Sequence, residues 1–156
     1  KIKEIANHGQ GNRYFYNSVG INSRLDSIQA ALLIEKLKIL DPEIKLRNKK
    51  ALFYNNSLKK KDFITLPLIK EYNTSVYSTY TIRINKNLRK KIINNFKKNN
   101  IPYGIYYPKP LHLQKPYFQK IHLPITEKVA KEVISLPFSP YISKSNMQKV
   151  IKCLKI

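Results

Sequence analysis

The chain has 156 residues, of which 42% are hydrophobic and 25% charged, and its formal net charge is +21. Apolar residues recur along the whole length, which excludes a disordered chain and suits a folded domain with a core. No apolar stretch approaches the roughly 20 residues that cross a bilayer, and the N-terminus lacks the apolar core of a signal peptide, so we expect a cytoplasmic location and no membrane partner.

The charge of +21 has two explanations. One is a basic module that binds nucleic acid, because lysines attract phosphates and the eleven tyrosines would stack on bases. The other is codon usage, because lysine occurs throughout together with abundant asparagine and isoleucine, as an AT-rich coding sequence produces. We favour codon usage and expect no nucleic-acid partner, although a phosphorylated substrate would benefit from the positive field.

The first third of the chain has the apolar spacing of helices. The pattern predicts a short helix over residues 1–7, a loop over 9–21 and a long helix over 24–40 with Ser23 as its N-cap. Asp41-Pro42-Glu43 has the order of cap, N1 proline and first-turn acid, so a second long helix is predicted from there to about residue 60. The first residues resemble the end of a helix already under way, so we interpret the chain as a fragment.

After residue 60 the apolar period changes from helical to alternating, which indicates a different structural layer. The predicted elements begin with strands over 63–66 and 76–84, a helix over 87–99 and a strand over 104–107. A short helix follows, which is capped by Thr126 and includes Val133 and Ile134. The last elements are a strand over 136–138 and a terminal helix capped by Ser143. The single cysteine, Cys153, is predicted to be a reduced, buried thiol in that last helix. The pattern therefore indicates long helices over 1–60, followed by a small α+β domain over 61–156.

The sequence contains no self-contained catalytic motif. Its four glycines form no Gly-x-Gly-x-x-Gly or Walker loop, and no Cys or His residues have metal-ligand spacing. Three groups of polar or aromatic residues nevertheless lie at the ends of predicted elements, where binding residues are concentrated.

The first group is Gly20-Ile21-Asn22-Ser23-Arg24, at the predicted start of the long helix. Backbone donors there suit an anion, and an arginine one turn in would pair with a carboxylate or phosphate, whereas simple helix capping is the alternative. The second group runs from Tyr106 to His112, where hydroxyls and an imidazole on a proline-stiffened loop suit a sugar or nucleotide; core packing of the tyrosines is the alternative. The third is Asn7-His8-Gly9-Gln10, where local structure competes with ligand binding by His8.

The same residues resemble a known family. The run Gly20-Ile21-Asn22-Ser23-Arg24-Leu25-Asp26, followed by Gln29-Ala30-Ala31 and Lys36-Leu37, is similar to the G-x-N-x-R-x-D-x-x-Q-A-A…K-L signature of the DegT/StrS sugar aminotransferases. Further matches follow in the family's order: His8-Gly9, Arg47, Tyr80, the run from Gly104 to His112, Gln114, Tyr117 and residues 136–140. The stretch from Gly9-Gln10 to Arg13-Tyr14 most resembles the branch that aminates 3-keto derivatives of UDP-N-acetylglucosaminuronic acid. Where that branch has His-Tyr-Pro, this chain has Tyr106-Tyr107-Pro108.

The resemblance implies the C-terminal portion of a type I pyridoxal 5'-phosphate (PLP) dependent transferase of the α/β class, in which active sites are shared across a homodimer. Residues 1–60 would be the end of the large PLP domain with the long interdomain helices, and residues 61–156 the small C-terminal α+β domain with a short, mainly antiparallel sheet. It implies that Asn22 reaches the PLP phosphate of the neighbouring subunit and that Arg24 lies within reach of the substrate's acidic group. Tyr106 and Tyr107 would line the sugar-nucleotide pocket, and we add His112 and His8 as further substrate-binding residues. The implied partners are a keto sugar nucleotide and an amino-acid donor, glutamate, in cell-surface polysaccharide biosynthesis.

The chemistry needs a lysine that binds PLP covalently and a carboxylate at the pyridinium nitrogen. In the family these lie in and upstream of an S-x-x-x-T-K-x-x-x-x-G-E-G-G segment, which this sequence lacks. We therefore predict no catalytic residue in the chain, no transaminase activity for the chain alone, and activity for the intact protein. The alternatives are a PLP-dependent sugar dehydratase, an inactive paralogue, or the basic nucleic-acid-binding module.

Overall fold

A computed structural model describes residues 1–155. The chain forms two compact units that divide after Asp41. The boundary predicted after residue 60 refers to the domains of a whole family member, and it stays a prediction.

The first unit contains two helices and a small hairpin. Helix α1 spans Ile2–Ile5, strands β1 (Gln10–Asn12) and β2 (Phe15–Tyr16) pair antiparallel, and helix α2 spans Ser27–Lys38. The loop predicted over residues 9–21 therefore contains a hairpin. The sequence gives little warning of it, because the turn is made by Tyr14 in the left-handed region (φ 66°) instead of by glycine or asparagine.

Helix α2 begins later than predicted, and its cap is a different residue. The side chain of Asp26 accepts a hydrogen bond of 2.8 Å from the backbone N–H of Ile28, so Asp26 is the N-cap and the prediction of Ser23 is wrong. A carboxylate is favourable at this position because the helix dipole is positive at its N-terminus. None of the residues of α2 is buried, and its large apolar side chains are exposed.

The second unit contains four helices, α3 to α6, each of which begins within a few residues of its predicted start. Helix α3 spans Leu40–Leu58, so Asp41 lies within its first turn and the prediction of Asp41 as its N-cap is wrong. Helix α4 spans Lys86–Lys98 with Asn85 as its N-cap. Helix α5 spans Pro124–Glu132. Helix α6 spans Lys144–Cys153, and its predicted cap is confirmed because Ser143 Oγ accepts a hydrogen bond from the Asn146 N–H. The thiol of Cys153 is free and buried, as predicted.

The sheet of this unit has three strands in the order β3 (Ile64–Thr65), β4 (Tyr80–Ile84), β5 (Val133–Leu136), and both pairings are antiparallel, as expected. Alternate residues of β4 point into the core, and the residues between them lie on the other face. Side chains from the three strands and from α3, α4 and the end of α6 together form this core: Ala51, Tyr54, Leu58, Ile64, Tyr80, Ile82, Ile84, Ile92, Phe96, Ile134, Leu136, Met147, Val150, Cys153 and Leu154.

Several predicted strands are placed differently. Strand β4 starts only at Tyr80, because Tyr77 has φ 44° and interrupts the extended backbone. The strand predicted over 104–107 is a single bridge between Gly104 and Ser135.

The last helix and strand before α6 also lie earlier than predicted. Helix α5 begins at Pro124, which is well suited to the first turn, and not at Thr126. Val133 and Ile134 belong to β5 and not to the helix, and the strand ends before Pro137, which has no N–H to donate to a ladder. Within residues 1–155, no helix is both long and apolar enough to span a membrane. In the same range, no group of His, Cys, Asp and Glu is arranged to hold a metal ion.

Candidate functional site

Two segments of the first unit cross closely just before α2. The His8 N–H donates to the Ile21 carbonyl (3.0 Å), the Ile21 N–H to the Ile5 carbonyl (2.8 Å), and the Ser23 N–H to the Ala6 carbonyl (2.9 Å). These three backbone hydrogen bonds hold residues 20–23 alongside residues 5–9, and we call this pair of segments the crossing. The extended segment that carries the predicted cofactor residue therefore has a defined position.

This crossing requires two glycines. A Cβ on Gly20 would lie 2.1 Å from the backbone nitrogen of Gly9, and a Cβ on Gly9 would lie 1.6 Å from the carbonyl oxygen of Ser18. Gly9 also has φ +78°, a conformation that other residues rarely adopt. The sequence motif thus uses Gly9 and Gly20 to bring two backbones together, which no larger residue permits.

Asn22 and Arg24 lie on the segment that the crossing positions. Asn22 forms an antiparallel bridge with Asn7, and the Arg24 guanidinium donates to the Asn7 side-chain oxygen at 2.9 Å. Asn22 is exposed, and its amide has no hydrogen-bond partner among the described residues. The arrangement offers amide and guanidinium donors to an anion.

The anion site at the helix N-terminus is not as predicted. Arg24 precedes α2 and does not lie one turn inside it, and the carboxylate of Asp26 already caps the first turn. The donors come from side chains on an extended segment. Asn7, which orients Arg24, belongs to the third candidate group, but the sequence pattern predicts no role for its side chain there.

His8 is held by its backbone. It adopts φ 61°, its N–H donates to the Ile21 carbonyl, and its side chain is exposed. Because the strained backbone and the hydrogen bond account for its place in the crossing, a substrate-binding role for its imidazole stays a prediction.

Tyr106 and Tyr107 are both exposed in the second unit, with their rings edge to face at 5.9 Å. The Tyr106 ring lies directly over Gly104, where a Cβ would come within 2.6 Å of it. Tyr106 lines a cavity of about 280 Å³ together with Ser78, Thr79, Pro102, Tyr103, Gly104, Ser135, Leu136, Pro137 and Phe138. Core packing therefore does not explain these two tyrosines, and their predicted role in substrate binding remains a prediction.

His112 is buried, with 7% of its surface exposed, and its Nε2 lies 3.4 Å from Glu127 Oε1 without forming a hydrogen bond. The same oxygen accepts a hydrogen bond from the Leu123 N–H at 3.0 Å and lies 3.1 Å from Nδ1 of the exposed His122. The Leu123 N–H is the main reason why the pKa of Glu127 is lowered. Glu127 was missed by sequence reasoning, because no periodicity relates it to His112.

Tyr80, which belongs to the family resemblance, lies in the core and away from solvent. Its hydroxyl donates to Asn55 Oδ1 at 2.6 Å, and the hydroxyl of Tyr54 donates to the Pro137 carbonyl at 3.0 Å. Burial raises the pKa of both phenols well above the usual value of 10.0, so both remain neutral donors. These two tyrosines therefore support the fold and not a site.

Comparisons with known proteins agree on one family. The sequence profile of the DegT/DnrJ/EryC1/StrS aminotransferase family matches residues 1–155. The chain is 40% identical over 154 residues to UDP-2-acetamido-2-deoxy-3-oxo-D-glucuronate aminotransferase of Pseudomonas aeruginosa, and the match covers 98% of this chain and 42% of that enzyme. It is 33% identical over 156 residues to dTDP-3-amino-3,6-dideoxy-alpha-D-galactopyranose transaminase of Aneurinibacillus thermoaerophilus, covering 99% of this chain and 42% of that one.

The fold agrees as well. The crystal structure of a DegT DnrJ EryC1 StrS aminotransferase from Brucella abortus superposes with a TM-score of 0.87 at 36% identity, covering 97% of this chain and 41% of that one. The chain thus spans about 42% of the length of the curated relatives it matches. Enzymes of this family depend on PLP.

Proposed function

This chain belongs to the DegT/DnrJ/EryC1/StrS aminotransferase family, and we propose that it is the C-terminal part of an enzyme that transfers an amino group from glutamate to a keto sugar nucleotide. The observation that carries the proposal is the Gly9/Gly20 crossing, which positions the segment that bears both the exposed amide of Asn22 and the guanidinium of Arg24 oriented by Asn7. In this proposal the residues of this chain bind the cofactor phosphate and the sugar nucleotide, and a lysine outside the chain would hold the cofactor covalently.

The residues present fit the phosphate of the cofactor. The exposed Asn22 amide has unused N–H donors, and a phosphate oxygen is the acceptor that they suit. PLP supplies the electron sink for amino transfer when it is bound. We propose that Asn22 holds the cofactor phosphate of the neighbouring subunit in a homodimer.

Arg24 is proposed to bind an acidic group of the sugar. Its guanidinium is exposed and is oriented by a single hydrogen bond to Asn7, so most of its donors are available to a carboxylate. The relative from Pseudomonas aeruginosa is named for a glucuronate substrate, whose carboxylate would suit Arg24. Tyr106 and Tyr107 are proposed to contact the sugar nucleotide through their exposed hydroxyls. We place the reaction in the cytoplasm, in the supply of sugars for cell-surface polysaccharide.

A cofactor-retention experiment tests the proposal. In the intact enzyme, Asn22→Ala is expected to lose PLP on gel filtration, measured by the visible absorbance of the bound cofactor. Asn12→Ala is the matched control, because Asn12 is also an exposed asparagine of the first unit whose side chain forms no hydrogen bond within the described chain. Equal retention in the two variants would count against the role of Asn22.

The segment upstream of Lys1 distinguishes the catalytic alternatives. A lysine in an S-x-x-x-T-K-x-x-x-x-G-E-G-G context supports an aminotransferase, and its replacement by another residue would indicate a sugar dehydratase or an inactive paralogue. We expect the 156-residue chain alone to show no glutamate-dependent amino transfer.

A further inference from the structure

The segment from residue 105 to residue 123 has a single buried side chain, and it is a histidine. His112 is 7% exposed, whereas every other side chain of this segment is half-buried or exposed. The segment contains no strand and only two short 3-10 helices, Leu111–Leu113 and Lys115–Tyr117. Because this segment buries so little apolar surface, the contacts of His112 contribute a large share of its local stability.

Hydrogen bonds and prolines restrain the backbone on both sides of His112. The carbonyl of His112 accepts from the Gln119 N–H at 2.9 Å, and the Gln114 side-chain amide donates to the Lys109 carbonyl at 3.2 Å. Pro108 and Pro110 restrict the backbone between Tyr107 and His112. A displacement of His112 is therefore transmitted to Tyr106 and Tyr107 instead of being absorbed by a flexible connection.

Within residues 1–155, the carboxylate at ion-pair distance from His112 is that of Glu127 in α5. The Nε2 of His112 is fully buried, has no hydrogen-bond partner in the part of the chain that the structure describes, and lies 3.4 Å from Glu127 Oε1. That oxygen accepts a hydrogen bond from the Leu123 N–H at the start of the helix, so the position of the carboxylate does not depend on His112. A buried ring nitrogen is costly unless a polar or charged group compensates it, and Glu127 is that group.

We propose that His112 is a positioning residue: through Glu127 it fastens the segment to α5 and so sets Tyr106 and Tyr107 for the keto sugar nucleotide. The inference rests on the proposed function, because the two tyrosines are substrate residues only if the enzyme binds that substrate. His112 contacts no substrate itself, since it is buried. Its effect should appear in the affinity for the sugar and not in the reaction with the amino donor.

The test uses the intact enzyme with steady-state kinetics for both substrates. His112→Leu removes the ring nitrogen, and His112→Gln returns a nitrogen near the position of Nε2. Glu127→Gln removes the charge but keeps an oxygen for the Leu123 N–H. His122→Gln is the matched control, because His122 is exposed to solvent and its Nδ1 lies 3.1 Å from the same Glu127 Oε1.

We expect H112L and E127Q to raise KM for the keto sugar nucleotide on the order of tenfold, as a small misplacement of binding groups does, while kcat and KM for glutamate stay within about twofold. H112Q should recover most of the affinity, and H122Q should match the wild type. Hydrogen exchange of the backbone amides of residues 105–110 should be faster in H112L than in the wild type.

Unchanged KM for the sugar in H112L and E127Q overturns the inference, as does an equal loss for both substrates. If H112L does not fold, E127Q carries the same comparison. The glutamate half-reaction, measured without sugar by the visible absorbance of the cofactor, distinguishes failure of the proposed function from failure of the positioning role of His112. Its absence in the wild type refutes the proposed function, whereas its presence with unchanged KM in the variants refutes only the positioning role.

Discussion

Replacement of Gly20 by alanine should displace the segment that carries Asn22. The new Cβ would lie 2.1 Å from Gly9 N, 2.5 Å from His8 C and 2.6 Å from Ile5 O, and real Cβ contacts essentially never fall below 3.0 Å. All three neighbours are backbone atoms, so no side chain can rotate away. The segment must therefore move by at least 3.0 − 2.1 = 0.9 Å.

Such a movement breaks the crossing. Its three hydrogen bonds now measure between 2.8 and 3.0 Å, so a displacement of 0.9 Å along any of them takes that bond beyond hydrogen-bond range. At about 1 kcal/mol for each bond lost, the free energy of unfolding of this local structure falls by up to about 3 kcal/mol. The Asn22 amide moves with the backbone, so the cofactor phosphate would lose its donor.

The measurement is PLP retention by the intact enzyme after gel filtration, and Gly11→Ala is the matched control. A Cβ on Gly11 would lie 2.0 Å from Nδ2 of Asn17, but that atom is the end of an exposed side chain and can move aside. G20A should lose cofactor and G11A should keep it. Equal retention in G20A and G11A would refute the argument that the crossing positions Asn22.

Four further results are expected. Arg24→Ala should raise KM for an acidic sugar nucleotide more than KM for glutamate in steady-state assays, and an equal rise would contradict its assignment. Tyr54→Phe should lower the free energy of unfolding by about 1–2 kcal/mol because the Pro137 carbonyl loses a buried donor, whereas Tyr72→Phe, at an exposed residue, should leave it unchanged. The pKa of Glu127 is lowered from 4.5, so its ionised carboxylate stabilises the fold above that pH, and this stabilisation is lost as the pH falls through the lowered value. An acid unfolding profile of Glu127→Gln should lack this loss, and superimposable profiles of variant and wild type would contradict the prediction. Binding to nucleic acid, followed by fluorescence anisotropy of a labelled duplex, should disappear near about 0.15 M salt, and persistent binding would revive the basic-module alternative.

Helix α6 shows what could be predicted from the sequence. Ser143 precedes an apolar repeat at helical spacing, and the structure confirms both the cap and the buried positions Met147 and Val150. Tyr80, Ile82 and Ile84 alternate as a half-buried strand should, and they form β4. In these elements the local pattern and the tertiary packing require the same conformation.

Elements determined by distant contacts were harder to predict. Strand β5 is buried at all four positions and so shows no alternation, which is why the sequence pattern predicts a helix at Val133 and Ile134. At the start of α2, both Ser23 and Asp26 are acceptable caps, and the backbone hydrogen bond from Ser23 to Ala6 decides between them. That bond joins residues whose proximity nothing in the local sequence reveals.

The candidate site divides in the same way. The motif around Asn22 and Arg24 identified the family, which the comparisons confirm. The contact of Arg24 with Asn7 and that of His112 with Glu127 link residues far apart in the chain, so spacing could not predict them. The site residues themselves stay predictions until the variants above are measured.

Helix α2 has a consequence for how the protein folds. Residues 1–41 contain a single buried residue, Gly9, while Ile28, Leu32 and Leu37 on α2 are each more than 60% exposed. The hydrophobic effect therefore gives this unit little stability of its own, whereas the second unit has a closed core. We expect the second unit to acquire its structure autonomously during synthesis, and the first to do so only when the apolar side of α2 meets a surface that covers it.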